Sequence, residues 1–110
     1  MTNLAQKKAQ GTVRTAIPSV DIYETEGEFV IEAEVPGTAK DRIAVELEKD
    51  VLEVKAEAQH GSEKVTYVRR FKVGQSVNNE KIEANYKDGL VRLNLPKAEN
   101  QKPRTISVTG

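Results

Sequence analysis

The sequence predicts an antiparallel β-sandwich, and three observations carry that reading. From Val20 onward apolar residues fall at every second position, the period of a half-buried strand and not the 3.6 of a helix. Glu26-Gly27, Pro36-Gly37, Lys49-Asp50 and Asp88-Gly89 punctuate these runs closely enough for hairpins, and Asp-Gly between strands is the strongest short signal of that kind. No crossover helix is visible, so one-sided strands bury their faces best by stacking two sheets roughly 10 Å apart.

Taken in order, Phe29, Ile31, Ala33 and Val35 alternate with Glu32 and Glu34, giving one dry and one wet face. Ile43, Val45 and Leu47 alternate with Ala44, Glu46 and Glu48, and Leu52, Val54 and Ala56 with Glu53, Lys55 and Glu57. Strand 67 to 73 sets Arg69 in phase with Tyr67 and Phe71, so a cation either shares the apolar face or marks where that face meets a partner. Ile82, Ala84 and Tyr86, then Val91, Leu93 and Leu95, complete the set. Three connections are expected: Pro36 to Arg42, with a short helical turn at Thr38 to Asp41; Glu57 to Lys64, crossing between the sheets; and Gly74 to Glu80. Residues 1–17 are too poor in apolar side chains to fold alone and read as a short flexible arm. Residues 18–97 form the sandwich, and 98–110 an extension in which Ile106-Ser107-Val108 is an isolated apolar pair.

Composition narrows function. At 110 residues there is material for one core, and 37% hydrophobic residues against 31% charged makes that core thin. Seventeen basic side chains balance seventeen acidic ones, which gives no field favouring nucleic acid or an anionic membrane surface. Cysteine is absent, excluding disulfides, thiolate metal sites and a cysteine nucleophile. No segment approaches the roughly 20 apolar residues of a membrane helix, so a cytoplasmic protein is expected. His60, the sole histidine, reads as a solvated loop residue, and no nucleophile, base and orienting group come together. No enzyme activity, metal or cofactor is expected. Three tyrosines and two phenylalanines are too few for a base-stacking platform.

Ordered motifs then carry a family likeness. Pro18-Ser19-Val20-Asp21-Ile22-Tyr23-Glu24, Glu34-Val35-Pro36-Gly37 and Asp50-Val51-Leu52-Glu53-Val54 precede the longest piece, Ala84-Asn85-Tyr86-Lys87-Asp88-Gly89-Leu90-Val91-Arg92-Leu93-Asn94-Leu95-Pro96-Lys97. With Lys102-Pro103-Arg104-Thr105-Ile106-Ser107-Val108 at the end, the chain resembles the α-crystallin domain of the small heat shock proteins over roughly residues 18 to 108. Where the family usually reads Val-Leu after the hairpin glycine, this chain has Leu90-Val91.

The resemblance implies an immunoglobulin-like sandwich and an ATP-independent holdase, a stress-response protein that binds partly unfolded clients and limits their aggregation. It implies a homodimer and higher oligomers in which Ile106 and Val108 dock into a groove between the strands 43–47 and 82–86. Ile43, Val45, Leu47, Ile82 and Ala84 are the groove candidates. Arg69 matches a family arginine at the dimer interface. Many bacterial and plant members carry a long loop with a swapped strand where this chain has only Gln59 to Thr66, which points to pairing through strand edges instead. The competing expectation is a monomeric co-chaperone-type adaptor that docks a folded partner; such adaptors usually end in an acidic tail, unlike this one.

Overall fold

The computed structural model of the protein describes residues 12–110. Eight strands run β1 (Thr12–Ala16), β2 (Ser19–Glu24), β3 (Glu28–Glu34), β4 (Thr38–Glu48), β5 (Val51–His60), β6 (Glu63–Lys72), β7 (Glu83–Lys87) and β8 (Leu90–Pro96). They form two four-stranded sheets, ordered β1-β6-β5-β4 and β2-β3-β8-β7. The sandwich expected from the alternation is therefore present, with one exception to its antiparallel pattern: β1 runs parallel to β6.

Register explains why the pattern was legible. In the first sheet Leu52, Val54, Ala56 and Ala58 of β5 lie opposite Phe71, Arg69, Tyr67 and Val65 of β6. In the second, Phe29, Ile31 and Ala33 of β3 lie opposite Leu95, Leu93 and Val91 of β8. These rows face each other, and Leu52, Val54, Leu93 and Leu95 are at most 2% exposed. Burying each such side chain contributes on the order of 2 kcal/mol, enough in sum to hold the thin core. Val35, Val73 and Val77 join the same cluster from the connections.

Two hairpins follow the expected turn chemistry. Asp88 and Gly89 both take positive φ, 47° and 82°, which suits a two-residue turn matched to the right-handed twist of β7 and β8. Lys49-Asp50 joins β4 to β5 in the same two-residue manner.

Three expectations are corrected. Glu57 to Lys64 is not a loop between sheets: β5 continues to His60, β6 begins at Glu63, and the two are neighbours in one sheet. Ala58 and Val65 extend the dry face far enough to keep the polar residues in strand. The Thr38 to Asp41 segment is strand with an irregularity, not a helical turn, because five steps from Thr38 to Ile43 are matched by only two from Ala58 to Ala56. The Thr38 hydroxyl donates to the Glu57 carbonyl and holds the bulged chain against β5. Finally, the segment expected as a flexible arm contributes β1, whose Val13 and Arg14 lie beside Lys64 and Val65. The rest of that arm, residues 1–11, lies outside the described residues.

Candidate functional site: a groove between two free strand edges

The outermost strands β4 and β7 belong to different sheets and lie over one another at one side of the sandwich. Among the described residues each has one hydrogen-bonded neighbour, β5 and β8 respectively, so the far edge of each presents backbone groups that no described strand pairs. Between them is a cavity of about 350 Å³ lined by Lys40, Ile43, Val45, Ala84, Asn85, Tyr86 and Val91. Three of the five residues named from the sequence, Ile43, Val45 and Ala84, therefore line this space. Ile82 packs half-buried against the core beside it. Leu47 lies farther along β4, 36% exposed and outside the cavity.

Tyr86 sets the separation of the two edges. Its hydroxyl donates to the Thr38 carbonyl at 3.0 Å and accepts from the Gly89 N–H at 3.0 Å, tying the β7–β8 hairpin of one sheet to the start of β4 in the other. Alternation placed Tyr86 as one more inward side chain; a tyrosine whose hydroxyl must find a partner at the sheet boundary was the available signal.

The turn that leads into β4 is built on Gly37, which has φ 83° and lines the larger hollow on the other side of Thr38. His60 approaches so closely that a Cβ on Gly37 would lie 2.5 Å from its ring. The imidazole Nε2 is 2.8 Å from the Pro36 carbonyl. His60 is exposed, as expected, but it clasps the Pro36-Gly37 turn and is not free in solvent.

The tail begins from a fixed root. Lys97 is buried, with Nζ 2.8 Å from a Glu24 carboxylate oxygen and 5.2 Å over the Phe29 ring, and its N–H donates to the Gly27 carbonyl. A short 3₁₀ turn, Glu99–Gln101, follows, and residues 102 to 110 belong to neither sheet. Ile106 is 72% and Val108 96% exposed, so this chain does not bury its own apolar pair. The tail does not complete its own sheet as a last strand.

Arg69 points between the sheets opposite Val54, half-buried, with its guanidinium 5.2 Å from the Phe71 ring centroid. Neighbouring β1 covers the β6 edge only from Glu63 to Tyr67, so Arg69 lies just past the covered stretch.

A feature the alternation did not supply occupies the other face of the second sheet. Val30 is 3% exposed although it is out of phase with Ile31, in register with Tyr23 and Asn94. Beside it Arg92 donates from Nε to Glu32 at 3.1 Å and from Nη2 to the Tyr23 hydroxyl at 3.2 Å. The hydrogen bond that Arg92 donates to Glu32, then the nearby Tyr23 hydroxyl, raises the Arg92 pKa above the ordinary arginine value. A larger hollow of about 520 Å³ lies near the β4 bulge, lined by Arg42, Glu57, Gln59 and Lys64 among others. Its charged walls suit an apolar strand less well than the smaller groove does.

Two stacked four-stranded sheets with a groove between their edge strands and an exposed apolar tail define a β-sandwich of the α-crystallin domain type. The Hsp20/alpha crystallin family pattern matches residues 21–109, and the chain belongs to that family. It is 35% identical over 108 residues to the 18 kDa antigen 2 of Mycobacterium avium, covering 89% of this chain and 78% of that one. It is 32% identical over 106 residues to a heat shock protein of Streptococcus thermophilus, covering 84% and 75%. Among solved structures, a small heat-shock protein from Xylella fastidiosa superposes with a TM-score of 0.71 at 28% identity, over 86% of this chain and 98% of that one. Heat shock protein 16.0 from Schizosaccharomyces pombe shares the fold with the same TM-score at 22% identity, over 86% and 77%. Members of the family are chaperones and not enzymes. No helix among the described residues is long and apolar enough to cross a membrane.

Proposed function

We propose that this protein is an ATP-independent holdase of the cytoplasm that binds partly unfolded proteins and assembles through dimer contacts and tail docking. The observation that carries the reading is the groove between β4 and β7, apolar at Ile43, Val45 and Ala84 and bounded by two unpaired edges. An extended chain entering there gains backbone hydrogen bonds from an edge and buries alternate side chains, features any denatured polypeptide can supply. Ile106 and Val108 lie two apart, so an extended tail presents both on one side to adjacent pockets of a neighbouring copy. Tail and client then compete for the same groove, and many weak dockings give avidity without tight single contacts. Arg69, just past the stretch of β6 that β1 covers, is the residue proposed to contact a second subunit, a reading that rests on its match to the family arginine. The test is light scattering from a heat-aggregating client without nucleotide. Suppression is expected at several-fold molar excess of this protein, and unchanged scattering at that ratio would sink the proposal.

A further inference from the structure

Strand β4, with eleven residues, is the longest among the described residues, and none of them pairs with its outer edge. Only Lys49 and Asp50 separate it from β5, so Glu48 and Val51 must be the hydrogen-bonded pair, since adjacent residues between them cannot bond each other. Alternation along the ladder then turns the N–H and C=O groups of Glu46 and Ala44 toward β5. Those of Leu47, Val45 and Ile43 point outward, where a strand could add.

Apart from Glu46, which falls opposite Ala44, the sequence around Val45 is antisymmetric in charge. Laid antiparallel on a second copy with Val45 opposite Val45, Ile43 meets Leu47 and Arg42 meets Glu48, while Lys40 and Asp41 come near the oppositely charged Asp50 and Lys49 of the turn that ends β4. Two-fold symmetry makes each of these pairs twice. Alternation puts Ile43, Val45 and Leu47 on the groove side, so apolar side chains meet there while Arg42 and Glu48 meet on the outer face. A two-residue slip one way sets Glu46 against Glu46; the other way sets Asp41 against Leu47. Val45 and Val45 also form a hydrogen-bonded pair in the centred register, because both present outward groups.

We propose that the β4 edges of two copies pair antiparallel about Val45, joining their sheets into one continuous sheet. This goes beyond the chaperone reading and needs no tail. Pairing draws on the same outward groups that border the groove, so a second copy and a docked tail exclude one another at this edge.

The test is sedimentation of the full chain over a range of concentrations. Arg42→Glu and Glu48→Arg should each weaken self-association roughly tenfold by replacing opposed charges with like ones in two symmetric pairs. The double variant Arg42→Glu with Glu48→Arg should restore it, because the swapped charges meet again across the two-fold. In this cysteine-free chain Val45→Cys should form a disulfide-linked dimer on mild oxidation, whereas Asn85→Cys on the β7 edge should not. A double reversal no tighter than the single ones, or equal cross-linking of the two cysteine variants, would overturn the proposal.

Discussion

Gly37 and Tyr86 show how single residues fix the start of β4 beside the groove. Gly37 is held at positive φ under the His60 ring, so Gly37→Ala adds both backbone strain and a clash. The expected cost is about 1–3 kcal/mol in denaturant unfolding. With His60→Ala the clash is relieved while the strain stays, so the double variant should lose less than the sum of the single ones. An additive result would show that the ring gives way freely. Tyr86→Phe removes the donor to Thr38 and the acceptor for Gly89, at an expected cost of about 1–2 kcal/mol. The same variant should loosen β4 at Thr38, seen as faster amide exchange there than in β5.

At the scale of elements, β1 is the departure that matters. Its side chains at Val13, Arg14 and Thr15 are exposed, and it adds five parallel register pairs to β6 with little apolar burial. Removing residues 1–17 should therefore lower the melting temperature by only a few degrees for a domain of this size. It should also bare the β6 edge from Glu63, and self-association that rises on truncation is the expected result by native mass measurement. The β5–β6 hairpin belongs to the same scale. Because β6 follows β5 with only Gly61 and Ser62 between, no long loop separates the two strands.

For the whole molecule, the exposed tail on an anchored root is the feature with consequences. Ile106→Ala with Val108→Ala should lower oligomer mass while leaving the melting curve unchanged, since neither side chain packs on its own chain. An unchanged mass distribution would refute docking. Lys97, buried against Phe29 and paired with Glu24, fixes where the tail starts, so loss of oligomers without loss of fold separates the two roles.

Much of this was legible in the residues. Alternation named the core rows of β3, β5, β6 and β8 because a period of two survives wherever one face is buried, and Asp88-Gly89 announced its hairpin through the φ values only such residues hold easily. Strand period alone could not separate Ile43, Val45 and Ala84, which line the cavity, from Ile82 beside the core and Leu47 beyond it. Where alternation fades the sequence was silent or misleading. Val30 is buried out of phase, residues 57 to 64 are too polar to read as strand, and β1 depends on a partner 51 positions away at its first pair, Thr12 with Glu63.

The sequence by itself determined the β class, the inward rows, the Asp88-Gly89 and Lys49-Asp50 turns and the isolated apolar pair in Ile106-Ser107-Val108, since each depends on neighbours within a few residues. Only the tertiary structure decided which edges stay open, that Tyr86 bridges the sheets, that Arg69 faces the interior opposite Val54, and that β1 runs parallel to β6. Those facts depend on contacts between distant residues, and local periodicity carries no information about which strand will lie beside which.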